Sequence, residues 1–141
     1  MELKRFGSTA TTSPFKSTIQ LGRAPKSEFL YGYDYTSGVW QFEGNFLVPQ
    51  GTSGATIMQI FGSPKQATTL QLAVYNGDLK YYRDNLLAVN IYNKWVRLNV
   101  IHNVSARTVT IFINGERKLV SKDHGRATFY FKYGVYGVVD P

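Results

Sequence analysis

The stretch Tyr130-Phe131-Lys132-Tyr133-Gly134-Val135-Tyr136 decides the fold of this chain. Successive side chains of a β-strand point to opposite faces of a sheet, so Lys132 and Tyr136 are expected on one face. Phe131, Tyr133 and Val135 alternate with them and form an apolar face, whereas Tyr130 belongs to the same polar-tipped set as Lys132 and Tyr136. The run therefore predicts a strand that is half-buried and presents a cation and a phenol on its other side.

Two further runs, Lys26–Leu30 and Thr56–Phe61, have the same alternation. The first offers Lys26 and Glu28, and the second offers Gln59. We expect the three runs to line one sheet face with a polar, partly cationic cluster.

Strand-like alternation recurs along the chain, and no segment has a helical period of useful length. The Asn-Gly pairs at residues 76–77 and 114–115 are strong indicators of two-residue hairpins. The unit Trp95–Ile113 alternates apolar and polar residues on both sides of a short turn. The predicted strands are Ser27–Tyr31, Val39–Val48, Thr56–Gly62, Thr69–Tyr75, Leu79–Arg83, Trp95–His102, Thr108–Ile113, Lys118–Ser121 and Thr128–Tyr136. Short strands with one apolar face each indicate an all-β, two-sheet antiparallel sandwich.

Composition limits the classes of function. The chain has 141 residues, one domain's worth, and a net charge of +7 that favours anionic partners. Its basic residues are scattered, which solubility also explains. There is no Arg-rich stripe, zinc pattern or RNA-binding aromatic signature, so nucleic acid is not an expected partner. No stretch approaches the length of a membrane span, and there is no cysteine.

We divide the chain into an irregular N-terminal segment, residues 1–24, and a single β-jelly-roll domain, residues 25–141. The N-terminus lacks the apolar core of a signal peptide. His102 and His124 are predicted to be surface residues in turns, and Trp40 and Trp95 are predicted to be core residues. With no second ligand at metal-binding spacing, no metal site or cofactor is expected.

Three motifs, in order, resemble the alginate lyase family of polysaccharide lyases. They are a basic-x-Glu run at residues 26–28, Gln-Ile-x at residues 59–61 and Tyr-Phe-Lys-x-Gly-x-Tyr at residues 130–136. Residues 32–44, 48–54 and 90–102 resemble that family's plant branch, which includes citrate-binding proteins. The resemblance implies a lectin-like, concanavalin-like jelly roll whose concave sheet holds a sugar chain.

This sequence departs from the pattern of the active enzymes, which read Arg-x-Glu-x-Arg and Gln-Ile-His. Lys26 stands for the first Arg, Leu30 for the second, and Phe61 for the His. A polar pair after the last motif has become Gly137 and Val138. The motif residues retained are Glu28, Gln59, Lys132 and Tyr136.

The departures bear on catalysis. β-Elimination of a uronate needs a group that neutralises the carboxylate, a base and an acid. The resemblance implies that Gln59, with Lys26 or Lys132, serves the carboxylate. Phe61 cannot accept a proton, and losing a positioned acid or base costs ~10²–10⁴ in rate. Tyr136 can still act as both base and acid. The proton that is removed and the leaving oxygen that is protonated can lie on the same side of the sugar.

We therefore expect a lyase-fold protein with a degenerate active site that binds acidic polysaccharide or a small polycarboxylate such as citrate. The alternative is a polyuronate lyase with Tyr136 as its catalytic residue, and a third reading is a groove adapted to an unrelated small molecule. Each site residue also has a purely structural reading, such as a solvated lysine for Lys132 or a paired amide for Gln59. The expected ligand-binding residues are Lys26, Glu28, Gln59, Phe61, Arg83, Lys132 and Tyr136.

The resemblance also bears on assembly and location. Family members look longer at both ends, whereas this chain stops at Asp140-Pro141. An uncovered sheet edge is a template for pairing with another chain, so a homodimer is predicted. The resemblance implies a secreted, cell-wall or vacuolar protein, with no membrane partner.

Overall fold

The computed structural model describes residues 34–133 in full and, outside them, the backbone of Leu3–Phe6, Thr18–Gln20, Glu28–Phe29 and residues 134–136. These residues form twelve strands in two six-stranded sheets. Sheet A comprises β1 (Leu3–Phe6), β2 (Thr18–Gln20), β4 (Val39–Leu47), β9 (Trp95–Asn103), β10 (Thr108–Ile113) and β11 (Glu116–Lys122). Sheet B comprises β3 (Glu28–Phe29), β5 (Ala55–Phe61), β6 (Thr68–Tyr75), β7 (Asp78–Tyr81), β8 (Asn85–Ala88) and β12 (Tyr130–Tyr136).

The strand order is β1-β4-β9-β10-β11 in sheet A, with β2 also paired to β4, and β3-β12-β5-β6-β7-β8 in sheet B. β1 and β2 run parallel to β4, and the other pairs of named strands are antiparallel. The sequence prediction of an all-β, two-sheet jelly-roll sandwich is confirmed. No helix within the described residues is long and apolar enough to cross a membrane.

Each sheet contributes one apolar face to a shared core. Along β12, Phe131 and Tyr133 are buried, and along β4, Phe42 and Phe46 are buried. The rings of Phe42 and Tyr133 meet across the sandwich with centroids 4.4 Å apart. The predicted apolar side of the 130–136 stretch is therefore the face that closes the core, as far as its side chains are described.

Tyr133 also ties the two sheets together by a polar contact. Its hydroxyl donates to the backbone oxygen of Asn45 in sheet A over 2.8 Å. Gly44 makes room for this crossing, because a Cβ there would lie 3.0 Å from the Tyr133 hydroxyl. A larger residue at position 44 would displace a buried aromatic ring that holds both sheets.

Both Asn-Gly pairs form the hairpin turns that the sequence predicts. Asn76 and Gly77 have φ angles of 51° and 85°, and Asn114 and Gly115 have the same pair of values. Two successive positive φ angles match the twist of the flanking strands, which is why Asn followed by Gly is favoured there.

Several predictions need correction. His102 ends the predicted strand Trp95–His102, but its interpretation as a surface residue in a turn is wrong: β9 extends to Asn103, and His102 is fully buried because it continues the inward positions of Val96 and Leu98. Trp95 is 54% exposed rather than in the core, because it stands at the start of β9 with the opposite parity. β8 was missed because it is short and lacks β-branched residues. β1 and β2 lie in the segment predicted to be irregular, where pairing with β4 supplies their backbone partners.

Candidate functional site

Strand register brings Lys132 and Gln59 side by side. In the pairing of β12 with β5, Lys132 is opposite Gln59 and Tyr130 is opposite Phe61. Directly opposed residues share a face of the sheet. The alternate residues Ile60 and Phe131 are buried in the core. The first set therefore lies on the face of sheet B turned away from sheet A, which we call the outer face.

Phe61 is an aromatic platform at this site. Its ring stacks on that of Tyr130, with centroids 5.1 Å apart and planes within 5° of parallel. The Lys132 Nζ lies 5.0 Å from the Phe61 ring centroid, within the range of a cation–π contact. Phe61 thus packs against both neighbours, and its carbon ring has no atom that can take a proton.

The amides of the outer face form a ladder across three positions. Gln59 Nε2 donates to Gln71 Oε1 over 3.3 Å, and Gln71 Nε2 reaches Thr56 Oγ1 at 3.5 Å. The structural reading of Gln59 as a paired amide is therefore correct in part. Each amide nitrogen carries two hydrogens, so Gln59 keeps one N–H beyond the bond to Gln71. The ladder orients a hydrogen-bond donor next to the lysine.

A second group of cations lies across the sheet from Lys132. Lys80 on β7 is opposite Ala73 on β6, and Ala73 is opposite Thr56 on β5, so this row crosses the same face. The Arg83 guanidinium carbon is 4.8 Å from the ring centroid of Tyr75, at the end of β6. Strands lie about 4.8 Å apart, so β12 and β7 are separated by roughly 14 Å. The outer face therefore carries positive charge at two places.

The structure brings together three of the predicted ligand residues, Gln59, Phe61 and Lys132, with Arg83 on the β6 and β7 side. Lys26 lies outside the described residues. For Glu28 and Tyr136 only the backbone is described: Glu28 is opposite Tyr133 in the β3–β12 pair, and Tyr136 is opposite Thr56. Their roles, including the catalytic one of Tyr136, stay predictions.

Sequence reasoning missed Gln71 and Lys80 as members of this face, whereas Tyr130 shares it with Lys132 as the alternation of residues 130–136 predicts. Gln71 stands between Leu70 and Leu72, an amide among apolar neighbours, which is the same signal that singled out Gln59. The pairing of the two glutamines depends on strand register, and register is not read from either strand alone.

A second polar cluster lies inside the sandwich. The Tyr35 hydroxyl is 2.8 Å from His102 Nδ1, and His102 Nε2 is 2.9 Å from Asp123 Oδ2. Asp123 Oδ1 accepts from Arg107 Nε at 3.3 Å and from the Gly125 N–H at 3.1 Å. The His102 and Asp123 side chains are 0% and 1% exposed, so no ligand reaches this cluster without unfolding part of the protein.

Protonation in this interior cluster follows from burial and pairing. Burial lowers the pKa of His102, although Asp123 opposes that shift. Burial alone would raise the pKa of Asp123, but the hydrogen bonds from His102, Gly125 and Arg107 outweigh it and the pKa is lowered. Burial raises the pKa of Tyr35 well above its usual value. A neutral His102 then donates from Nε2 to an ionised Asp123 and accepts from Tyr35 at Nδ1.

In the part of the chain that the structure describes, no three His, Cys, Asp or Glu side chains are grouped so that they could hold a metal ion.

This chain is similar in sequence to proteins of a known family. A family model described as alginate lyase matches residues 11–139. A protein named citrate-binding protein from Hevea brasiliensis is 56% identical over 128 residues, which cover 90% of this chain and 53% of that protein. The chain therefore spans about half the length of that relative.

Solved structures show the same fold at low identity. An alginate lyase of polysaccharide lyase family 7, A1-II', superposes with a TM-score of 0.57 at 14% identity, covering 74% of this chain and 57% of the enzyme. The alginate lyase from Corynebacterium sp. gives a TM-score of 0.53 at 15% identity, covering 72% of this chain and 46% of the enzyme.

Proposed function

The chain belongs to the alginate lyase family, and on that premise we propose that it is a binding protein that holds carboxylate groups on the outer face of sheet B without cleaving a sugar chain. The observation that carries this proposal is the placement of Phe61. It lies beside Gln59 and Lys132, where the family resemblance calls for a histidine, and stacks on Tyr130. The face keeps groups that attract a carboxylate and lacks a base at this position.

Lys132 and Gln59 suit one carboxylate together. A lysine ammonium offers a positive charge and rotatable donors, and the amide N–H of Gln59 offers a directed hydrogen bond. A charge-assisted hydrogen bond contributes about 1.5–3 kcal/mol. The ring of Phe61 excludes water on one side of the lysine, which strengthens the attraction.

The second cationic group extends the site to a ligand with more than one carboxylate. Lys80 and Arg83 lie on the β6 and β7 side, roughly three strand spacings from Lys132. A uronate oligomer carries carboxylates at intervals along a chain and can span that separation. A compact tricarboxylate such as citrate can use Lys132 and Gln59 with one further donor. The name of the Hevea relative favours citrate, and the lyase neighbours favour a uronate chain.

Cleavage through Tyr136 is the alternative function. The tyrosine belongs to the retained motif, and its backbone lies opposite Thr56 on β5, two strands from Ala73. A tyrosine that serves as both base and acid would need no histidine. The lyase reading therefore predicts slow β-elimination that depends on one phenol.

The experiment has two parts that separate these functions. Ultraviolet absorbance of the unsaturated uronate product is followed on alginate, glucuronan and pectate, with wild type and Tyr136→Phe. Calorimetry then measures binding of citrate and of uronate oligomers. We expect no absorbance rise and measurable binding heat. An absorbance rise that Tyr136→Phe abolishes would establish the lyase, and no heat with any carboxylate ligand would contradict the binding proposal.

We also propose a homodimer, because an open sheet edge can pair with a second chain, and a secreted, cell-wall or vacuolar location, as the family resemblance implies. Among the described strands, β11 ends sheet A and β8 ends sheet B. Each therefore has one edge on which a second chain can pair. A monomeric mass by light scattering would contradict the dimer.

A further inference from the structure

A cavity lies beyond the end of the outer face, where β7 ends and the chain turns into β8. Its volume is about 310 Å³, and it is lined by Gln66, Tyr81, Tyr82, Asp84, Asn85 and His124. We call it the Tyr82 pocket. Pockets for small molecules measure roughly 300–1,000 Å³, so this one suits a single ring-sized ligand rather than a long chain segment. None of the residues assigned to carboxylate binding lines it.

Hydrogen bonds hold the walls of the Tyr82 pocket in place. The Tyr82 hydroxyl is 2.9 Å from Thr68 Oγ1, and the backbone N–H of His124 donates to Thr69 Oγ1 over 2.7 Å. The backbone oxygen of Thr68 accepts from His124 Nδ1 at 2.9 Å. The Gln66 amide nitrogen lies 2.7 Å from the same Nδ1, so this ring nitrogen contacts both Gln66 and the Thr68 backbone. The rings of Tyr82 and His124 lie with centroids 5.5 Å apart.

The backbone of Tyr82 is strained, with a φ of 52°. The other described non-glycine residues with positive φ are four asparagines and Arg107. Asparagine tolerates this region, whereas a bulky aromatic residue in it is an outlier. Such strain clusters at functional sites, where the surrounding structure holds the residue in place. Here the contact with Thr68 and the turn between β7 and β8 hold the phenol against the pocket.

The side chains that line the Tyr82 pocket disfavour an acidic ligand. Two amides, two tyrosines and an imidazole supply polar groups and aromatic rings, and the Asp84 carboxylate accepts only. No lysine or arginine lines the pocket, and no ion pair neutralises Asp84 within residues 34–133. A carboxylate ligand would meet a like charge. A neutral ligand with adjacent hydroxyls would find a carboxylate to donate to, two amides and aromatic rings for its C–H face.

We propose that the Tyr82 pocket is a second ligand site that takes a neutral sugar unit, separate from the carboxylate-binding outer face. Asp84 accepts hydrogen bonds from sugar hydroxyls, Asn85 and Gln66 pair with neighbouring hydroxyls, and Tyr82 packs against the ring. The sugar is either a free monosaccharide or a neutral unit of a longer polysaccharide. This pocket does not depend on the outer face being a binding site.

The test uses saturation-transfer NMR on the full chain with neutral methyl glycosides of glucose, galactose, mannose and xylose, and with the matching neutral oligosaccharides. We expect transfer to at least one sugar, with a Kd on the order of 1 mM. Transfer to a methyl glycoside supports a free sugar, and transfer to an oligosaccharide alone supports a polysaccharide unit.

Two exposed carboxylates provide the matched variants. Asp84→Ala is expected to weaken neutral-sugar binding about tenfold, the effect of losing one good hydrogen-bonded partner. Asp34→Ala, an exposed acid outside the pocket, is expected to leave it unchanged. Heat from citrate binding should be no weaker in Asp84→Ala than in wild type, so failure here is separable from failure of the outer-face proposal.

Three results would overturn the proposal. One is the absence of transfer to every neutral sugar and oligosaccharide tested. Another is sugar binding that Asp84→Ala leaves intact. The third is glucuronic acid at neutral pH competing as well as its neutral counterpart, because Asp84 should disfavour the acid.

Discussion

The interior cluster and the outer face of sheet B are both rich in polar groups, but they are built in opposite ways. Inside the sandwich, His102 and Asp123 are buried, and each bonds to partners fixed by the fold. On the outer face, Lys132 and Gln59 are half-buried and stand beside an aromatic ring. The arrangement of an imidazole between a phenol and a carboxylate looks catalytic, yet it lies where no substrate can reach.

Burial therefore separates the polar groups that stabilise the fold from those that can bind a ligand. A buried polar group contributes to folding only while its hydrogen bonds are made, so its removal is felt as lost stability. Removing a cation from an open face changes the free energy of unfolding little, and the main effect is a loss of ligand affinity. Substitutions in the interior cluster should therefore lower stability, and substitutions on the outer face should lower ligand affinity.

The largest expected effect follows loss of the interior carboxylate. Asp123→Ala leaves His102, the Gly125 N–H and Arg107 without their acceptor, and we expect the free energy of unfolding to fall by roughly 3 kcal/mol. Urea unfolding at neutral pH measures it. The control Asp34→Ala removes an exposed acid and should change stability by less than about 0.5 kcal/mol. Equal effects of the two substitutions would remove the distinction between the regions.

Acidification should weaken the fold through His102. Because its pKa is lowered on folding, the unfolded chain binds more protons as pH falls below about 6.5, and stability is lost there with a slope of at most ~1.4 kcal/mol per pH unit. The lowered pKa of Asp123 adds a further loss below about pH 4. Urea unfolding at several pH values measures this. His102→Gln should flatten the dependence above pH ~5, and an unchanged dependence in this variant would contradict the role given to His102.

Substitutions on the outer face should lower the affinity for carboxylate ligands rather than the stability of the fold. Lys132→Ala is expected to weaken citrate or uronate binding about tenfold, with little change in stability, because it removes the charge beside Gln59. Calorimetry gives the affinity, and urea unfolding gives the stability. Lys94→Ala, an exposed lysine in a turn, is the matched control. A large loss of stability in Lys132→Ala with unchanged affinity would assign this lysine to the fold.

The smallest expected effect sharpens the comparison at Phe61. Phe61→Leu removes the stacking on Tyr130 and the contact with the Lys132 ammonium, so we expect a loss of about 0.5–1 kcal/mol in stability and a few-fold loss in affinity. Both are read from the same titrations. Tighter binding in Phe61→Leu would mean that the ring obstructs the ligand.

Much of the fold could be predicted from local pattern. Alternation along residues 130–136 and the two Asn-Gly turns indicated strands and hairpins because each depends on neighbours in sequence. His102 shows where such reasoning stops. It continues the inward positions of Val96, Leu98 and Val100, but it is the last residue of the predicted strand and its type predicts a surface position, and its partners lie 67 and 21 residues away. A buried histidine is recognised only when those partners are known.

In the candidate site, too, some residues could be predicted from local sequence, whereas their contacts could not. Gln59 and Lys132 were found because each is a polar residue in a strand with a recognisable motif. Their contact, the ladder to Gln71 and the stacking of Phe61 on Tyr130 depend on the register between β12, β5 and β6. Residue type alone predicts that Phe61 cannot accept a proton. The stacking of its ring on Tyr130 could not be predicted in that way.

The most direct test of the central claim is amide chemical-shift mapping of ¹⁵N-labelled protein during a citrate titration. We expect saturable shifts that cluster on the outer face, at Gln59, Phe61, Gln71 and Lys132, with none at His102 or in the Tyr82 pocket. Shifts confined to other parts of the protein, or none at all while uronate oligomers also fail to perturb the outer face, would contradict it.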